Sequence, residues 1–322
     1  MPLAVRFHQI GGPEVLKIEK VDVPPPGPGE VRIAVQALGL NRAESMFRSG
    51  RYLEDPIFPA RLGYEAAGTI ESVGPGVTGF SIGDAVSTIP AFHQNQYGVY
   101  GDLVVAPARA VAKHPPSLSW NEAAAIWMQY LTAYGALIDI AQLGSGDTVL
   151  IPAASSSVGL AAIQIANLVG ATPIALTRTH DKQAALTKLG ASHVIVTGQQ
   201  DLVEEAKRLT AGKGARVVFD PVGGPTVAKL AAAMAHRGIL IEYGNLSYEP
   251  TPLPLMDLLG KLLTIRGYVL FEVTQDPARL QRGKQFVIDG LASGKLKPVI
   301  AKTFPFSEIV EAHRYLESNQ QI

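Results

Sequence analysis

Between an apolar strand pattern at 148–152 and an apolar helical run from about Val158 lies a turn of the smallest side chains: Ala153, Ala154, Ser155, Ser156 and Ser157, closed by Gly159. A strand-to-helix turn of this kind presents unpaired N–H groups and the positive end of a helix dipole, and so it can hold a phosphate. The dinucleotide spacing G-x-G-x-x-G falls on Ala154, Ser156 and Gly159, so two of its three glycines have become Ala and Ser. Taken alone, the stretch also reads as an ordinary buried strand–turn–helix. Hydroxyls at Ser156 and Ser157, beside Val158, nevertheless reach a pyrophosphate while staying small enough for close approach. About 20 residues further on, an NAD-binding fold places an acid to grip the ribose hydroxyls. Here that position reads Thr177, Arg178, Thr179, His180, Asp181, Lys182. A neutral Thr177 followed by Arg178 and Lys182 suits a 2′-phosphate, because a guanidinium takes it in a bidentate fork. The expected cofactor is therefore NADPH. The plainer alternative makes Arg178 and Lys182 solvated charges at a helix start that Asp181 caps.

These groups need a parallel sheet to position them, and the middle of the chain supplies the pattern. Strands at 148–152, 172–177, 193–197, 216–220 and 239–243 alternate with helices at 158–169, 181–189, 201–210 and 225–234. This is a doubly wound α/β arrangement whose ligand crevice lies beyond the strand C-termini. Ahead of it, Ser119 and Glu122 form a capping box that opens a helical run to about Ile140. Residues 1–115 read differently, as short strands between Gly and Pro turns: 31–38, 68–74, 83–89 and 103–107. That spacing predicts a β barrel, with 41–52 as a short helix or loop. The last segment, with helices at 278–293 and 307–318 (the second capped by Ser307), does not extend the βαβ series and is expected to return to the first domain. The chain ends at Ile322 without a final strand, which we read as truncation or a disordered end beyond it.

Composition narrows the function classes. The 322 residues are 47% hydrophobic and 17% charged with a net charge of zero, which points away from nucleic acid or an anionic membrane as the main partner. No apolar run reaches membrane-span length, and the N-terminus lacks a signal-peptide pattern. There is no cysteine, so disulfides and thiolate zinc sites are excluded, in keeping with a cytoplasmic location. The seven His residues show no ligand spacing.

Three motifs carry a resemblance. GYEAAGTIESVGPGV at 63–77 is similar to the G-H/x-E-x-x-G-x-V segment of the medium-chain dehydrogenase/reductase superfamily. Gly83 and Asp84 match its G-D turn, and AASSSVG at 153–159 matches the A-A-x-G-G-V-G form of its quinone oxidoreductase branch. The resemblance implies an α/β fold in which a Rossmann doubly wound parallel sheet is joined to a GroES-like β-barrel catalytic domain. The expected divisions are a catalytic domain at 1–118, an NADPH-binding domain at 119–265 and a C-terminal return at 266–322. The positions matching the zinc ligands of alcohol dehydrogenases hold Asn41, Tyr64 and Met128, so no metal is expected.

By the same resemblance, Asn41 and Tyr52 are the candidate catalytic residues. Asn41 would donate a hydrogen bond to a developing oxyanion or to the cofactor ribose, and Tyr52 would donate a proton or a hydrogen bond. Met46 stands where quinone oxidoreductases often have a second Tyr. Gln129 and Thr132 fall on a helix that packs against the nicotinamide. Val222, Gly244 and Asn245 would line the ribose and nicotinamide, and the segment 267–271, with Val269 and Phe271, would bind the carboxamide. Each has a plain alternative: Tyr52 as a loop aromatic on the barrel edge, Tyr64 as a packed replacement for a His, Gln129 and Thr132 as a capped helix, the Gly-containing turns as backbone freedom alone. Tyr52, Phe92, Tyr97, Trp127, Tyr130 and Phe271 point to a hydrophobic cleft. The expected activity is an NADPH-dependent, zinc-free transfer of hydride to a small hydrophobic carbonyl, enone or quinone. An enoyl-thioester reductase or another zinc-free carbonyl dehydrogenase is the alternative, and a non-catalytic NADPH-binding protein is the alternative of a different class. A homodimer paired through the edge strand at 263–269 is the expected assembly.

Overall fold

A computed structural model describes residues 1–321 and divides them into two units, one of Met1–Met128 with Pro298–Gln321 and one running over Gln129–Lys297. Any chain beyond Ile322 lies outside the described residues.

In the first unit, strands form where apolar and β-branched residues alternate with polar ones between turns. They are β1 (Leu3–Phe7), β2 (Lys17–Lys20), β3 (Glu30–Gly39), β4 (Ala60–Arg61), β5 (Glu65–Val73), β6 (Ala85–Thr88), β7 (Leu103–Pro107) and β8 (Val111–Lys113). One antiparallel sheet has the order β2-β1-β4 and the other β7-β3-β5-β6-β8. The core includes Val5, Phe7, Phe47, Leu62 and Tyr100. Each such aliphatic or Phe side chain stabilises the fold by roughly 1.5–3 kcal/mol on burial. The segment expected as helix or loop is helix α1 (Arg42–Arg48), followed by the loop that carries Tyr52. Two further short helices, α2 (Gln94–Tyr97) and α3 (Trp120–Ala123), complete this part.

The capping box of Ser119 and Glu122 is present at α3, but the expected continuous helix is not. α3 stops after one turn, α4 (Trp127–Tyr134) begins afresh, and Gly135–Ile140 follows as a π-helix in which Ala141 N–H donates to Ala136 O at 2.9 Å. The break has a cause distant in sequence. Glu65 accepts hydrogen bonds from the N–H groups of Trp127 and Met128 at 2.8 and 2.9 Å, which caps the new helix start.

The second unit is a six-stranded parallel sheet built from β9 (Thr148–Ile151), β10 (Thr172–Thr177), β11 (His193–Val196), β12 (Ala215–Asp220), β13 (Met234–Glu242) and β14 (Thr264–Gly267). Their order is β11-β10-β9-β12-β13-β14, the dinucleotide-fold order with its switch point beside β9. The crossovers are α5 (Ser157–Leu168), α6 (Gln183–Lys188), α7 (Leu202–Leu209), α8 (Thr226–Ala232) and α9 (Leu255–Lys261). β13 is longer than expected because Met234 already pairs with Ala215. β14 is shorter than the expected 263–269. Phe271, expected in the same extended segment, instead opens α10 (Phe271–Thr274), which α11 (Pro277–Ala292) follows.

The chain then rejoins the first unit with α12 (Ile309–Glu317). Ser307 is not its cap: it lies in a single 3-10 turn, and Glu308 occupies the cap position without a side-chain bond. Arg48 anchors this helix by donating to the carboxylate of Glu317 and to Gly11 O, while Arg42 donates to Leu316 O at 3.1 Å. His313, fully buried, meets Tyr100 edge-on with ring centres 6.1 Å apart.

Candidate functional site

In the first unit, the chemistry gathers where α1 starts beside the start of β5. Asn41 is the N-cap of α1, and Glu44 at the third helical position completes a capping box by accepting from the Asn41 N–H at 2.9 Å. Asn41 Nδ2 donates to Glu65 Oε2 at 3.0 Å, and Tyr64 N–H donates to Glu44 Oε1 at 3.0 Å. Carboxylates only accept, so the Asn41 amide nitrogen must face Glu65. That nitrogen donates to Glu65, with Glu44 Oε1 3.5 Å away, and the Asn41 oxygen faces the Glu44 N–H of the capping box, so the donor role expected for Asn41 toward an oxyanion or ribose would compete with these acids. Glu44 and Glu65 are both buried, which disfavours their charged forms. Burial pushes Glu44 up to about 8, against the N–H groups of Glu44 and Tyr64 that hold it down and with the Glu65 charge adding. Burial likewise pushes Glu65 up to about 7, opposed by Met128 N–H, Asn41 and Trp127 N–H.

Tyr52 reaches this group through Tyr64, their ring centres 6.3 Å apart, and Tyr64 in turn meets Phe92 at 5.7 Å. Burial pushes the Tyr52 phenol up to about 12; Tyr64 acts in the opposite sense, and the Glu44 and Glu54 charges add to the rise. Tyr52 therefore keeps its proton near neutral pH. Phe92 and Tyr97 continue the aromatic row at 6.0 Å. Trp127 and Tyr130 do not line an open cleft as expected. Both are buried, Trp127 donating to Ser87 Oγ at 2.8 Å and Tyr130 to Gln164 Oε1 at 2.9 Å.

In the second unit, the candidate residues fall at the C-terminal ends of successive parallel strands. After β9, Ala153 takes a left-handed conformation (φ 48°) and Ser156 caps α5, its Oγ accepting from Gly159 N–H at 3.1 Å. The retained glycine has a steric reason: a Cβ at Gly159 would lie 2.6 Å from Ala154 O. Ser157 is exposed and Val158 half-buried at the helix start. After β10, Lys182 Nζ donates to Ser155 Oγ at 3.2 Å, so the basic segment is laid against the serine turn. Arg178 is exposed, and Thr177 Oγ1 donates to Thr179 O at 3.2 Å.

After β12 and β13, Val222 and the turn at 244–247 come together: Ser247 N–H donates to Val222 O and Leu246 N–H to Pro221 O, each at 3.0 Å. Gly223 and Gly224 are both left-handed (φ 66° and 67°), a conformation that β-carbons oppose. Gly244 and Asn245 are exposed there. Beyond β14, Val269 is exposed, Phe271 is half-buried at the start of α10, and Tyr268 donates to Leu131 O of α4 at 3.4 Å. Gln129 and Thr132 are buried on α4.

Sequence reading missed Glu44 and Glu65 as members of the site, although the Asn-x-x-Glu spacing of a capping box marks the first of them. Zinc does not fit this donor set. The chain lacks cysteine, Asn41 faces a carboxylate, and among the described residues no group of three or more acids and histidines could hold a metal ion.

Comparison with known proteins shows the family to which the chain belongs. Residues 27–116 match the alcohol dehydrogenase GroES-like domain family and residues 157–284 the zinc-binding dehydrogenase family. A 2-haloacrylate reductase of Burkholderia sp is 33% identical over 100% of this chain and 97% of its own length. The quinone oxidoreductase of Homo sapiens is 33% identical over 96% of this chain and 92% of its own. The crystal structure of the Escherichia coli quinone oxidoreductase complexed with NADPH superposes with a TM-score of 0.89 at 31% identity, covering 99% of this chain and 97% of that one.

Proposed function

Because the chain belongs to the zinc-independent, quinone oxidoreductase-like branch of the medium-chain dehydrogenase/reductase superfamily, we propose that it is an NADPH-dependent reductase of quinones or activated enones. The observation that carries this reading is the serine turn at 153–159 with Lys182 bonded to Ser155. An ammonium, a capped helix start and small side chains at one strand end form a cradle suited to a phosphorylated dinucleotide. Ser156, Ser157 and Val158 would hold the pyrophosphate, while Thr177, Arg178 and Lys182 would hold the 2′-phosphate. Val222, Gly244, Asn245, Val269 and Phe271 would line the ribose and nicotinamide, with Gln129 and Thr132 on the helix beside them.

NADPH, when bound, supplies the hydride. Asn41 would accept a ribose hydroxyl with the second lone pair of its oxygen. Tyr52, protonated near neutral pH, would give its proton to the enolate or hydroquinone oxygen and regain one from water. The aromatic row of Tyr52, Tyr64, Phe92 and Tyr97 favours a flat apolar acceptor.

A second reading rests on the likeness to the 2-haloacrylate reductase, since a 2-haloacrylate is an alkene conjugated to a carboxylate. NADPH consumption against a quinone, a simple enone, a 2-haloacrylate and a crotonyl-type thioester separates the readings. Turnover of the haloacrylate or thioester alone would replace the quinone proposal, and binding of NADPH with no turnover would make the protein a non-catalytic binder.

The same proposal includes a cytoplasmic homodimer. Its support is that β14 is an edge strand and that Leu255, Met256, Leu259 and Leu262 beside it are 52%, 80%, 61% and 54% exposed. Light scattering on the purified protein tests it, a monomeric mass counting against it.

A further inference from the structure

The proposed hydride chemistry leaves two acids of the second unit unused: Asp220, which is buried, and Glu242, half-buried with its carboxyl oxygens shielded. Asp220 ends β12 and Glu242 ends β13, and they are direct partners in the parallel register, so their side chains share one face of the sheet. On that face Val218 and Leu240, one pleat back on each strand, belong to an apolar core with Val227 and Leu230. The two carboxyls therefore close the rim of an apolar layer.

Their surroundings differ. Asp220 accepts from Val222 N–H at 2.8 Å and Gly223 N–H at 3.1 Å, donors that favour a carboxylate. Glu242 has both oxygens shielded from water with no N–H or O–H donor of the protein directed at them. A charge there would be uncompensated, whereas a protonated carboxyl needs only an acceptor, and the Asp220 carboxylate beside it is one. Both acids are pushed up from the ordinary carboxylate range, chiefly by burial. Glu242 reaches about 8 because the Asp220 charge adds to that burial. Among the described residues no cation holds either acid down. On the packed elements, Arg266 of β14 is engaged by Glu272, and Lys261 of α9 by Asp257. Other titratable groups on or beside these elements are Lys229 of α8, Tyr268 beyond β14, Tyr243 and Glu249 of the following loop, Asp139 of the π-helix, bonded to Arg279, and, towards the starts of the strands, Arg216, His236 and Arg237. Burial and the Asp220 charge keep the Tyr243 phenol protonated.

We infer that Asp220 and Glu242 share one proton as a carboxyl–carboxylate pair, and that this shared proton holds the 221–224 turn in the shape that receives the dinucleotide. The link to the turn is direct. The oxygens that accept from Val222 and Gly223 are those of Asp220, and the left-handed pair Gly223 and Gly224 follows them in the chain. With the proton gone, two like charges on adjacent strands repel, and Asp220 is the one attached to the turn. The two acids are positioning residues, and their effect on binding rests on the NADPH reading above.

The test is NADPH affinity by fluorescence titration from about pH 6 to about pH 10, for the full chain and for Glu242→Gln. The wild-type dissociation constant should rise above about pH 8 with a slope approaching one proton, up to tenfold per pH unit. Glu242→Gln, a neutral isostere of the protonated acid, should lose that rise. Equal slopes in the two proteins would overturn the inference. Infrared difference spectra without cofactor make the test independent of binding: the wild-type minus Glu242→Gln spectrum should contain a protonated-carboxyl band at pH 7, over and above the bands of Glu44 and Glu65 that both proteins share. If that variant does not fold, Asp220→Asn replaces the carboxylate acceptor by an amide, so the Glu242 band at pH 7 should shift in frequency, and a wild-type minus Asp220→Asn spectrum with no carboxyl difference refutes the shared proton. Absence of NADPH binding at every pH would sink the cofactor proposal and leave the infrared result to decide the pair.

Discussion

Replacing Glu65 by Gln tests the buried acid that joins Asn41 to the start of α4, and its effect should change with pH. Glu65 accepts from Trp127 N–H, Met128 N–H and Asn41 Nδ2. A glutamine oxygen can serve the first two, but its NH2 then faces the NH2 of Asn41, donor against donor. A carboxyl oxygen, protonated or not, keeps a lone pair for Asn41 Nδ2 that an amide NH2 lacks, so losing that bond in a buried place costs about 1–3 kcal/mol. The charge effect runs the other way. Glu65 is raised from 4.5 to about 7, so the folded state keeps a proton that the unfolded chain has released. The stability this gives is fully present below 4.5 and is lost as pH rises through about 7. The full loss is of order 3 kcal/mol, since each pH unit between those two values removes about 1.4 kcal/mol. Glu65→Gln does not titrate and escapes the loss. The variant should therefore be clearly less stable than wild type near pH 4.5, with the gap closing by about 3 kcal/mol near pH 8. Urea unfolding followed by the fluorescence of Trp120 and Trp127, the two tryptophans of the chain, reads the first unit directly, since both belong to it. The same gap at both pH values would refute the assignment of a raised, largely desolvated Glu65.

Other substitutions test the remaining parts. Arg178→Ala should bring NADPH affinity down roughly tenfold while leaving NADH unchanged, the worth of one exposed charge-assisted bond; equal losses for both cofactors would remove Arg178 from the 2′-phosphate. Gly159→Ala must move backbone, since its Cβ would lie 2.6 Å from Ala154 O. It should lower stability by about 1–3 kcal/mol and abolish NADPH binding, and a thermal scan with and without NADPH that matches wild type would contradict the cradle. Burial, helped by the Arg48 charge, lowers His313 from 6.5 to about 3, so the unfolded chain takes a proton below 6.5 that the folded one refuses. His313 stability is thus intact above 6.5 and falls by about 1.4 kcal/mol per pH unit down towards 3. His313→Phe should show a flatter acid limb, and unchanged slopes would place the acid sensitivity elsewhere.

How much of this could be read from the residues alone depended on whether the cause was local. The parallel sheet was readable because each strand and helix carries its own period, and the C-terminal strand ends then brought 153–159, 177–182 and 220–224 to one edge. The break before α4 was not readable, because Glu65 in another strand caps it. The length of β13 was hidden too: Met234 enters the sheet by pairing with Ala215, a contact made by the partner strand rather than by its own sequence. Ser307 has the residue type of a cap, yet a 3-10 turn shifts the helix start past it. In the candidate site, the family resemblance pointed to Asn41 and Tyr52, but the direction of the Asn41 amide depends on two acids from different elements. Glu242 gave no signal at all, since an acid at a strand end is usually solvated.

The acids around Asn41 also show what a metal-free site of this kind requires. Asn41, Tyr64 and Met128, at the positions where the family resemblance would put zinc ligands, bring no metal charge to balance Glu44 and Glu65. The balance comes from N–H groups: those of Asn41 and Tyr64 on Glu44, and those of Trp127, Met128 and the Asn41 side chain on Glu65. Neutral dipoles compensate a buried charge less fully than a cation does, so both acids remain raised, to about 8 and about 7. Protonation thus takes over part of the metal's task of setting the local charge. The charge state beside Asn41 consequently changes within the neutral range, while Tyr52, raised to about 12, stays protonated throughout it. A pH dependence of turnover between about 7 and 8 should therefore be traced to the two glutamates and not to the phenol: Tyr52→Phe should lower the rate at every pH while leaving the inflection in place, and an inflection lost with Tyr52 would show that the phenol titrates in their stead.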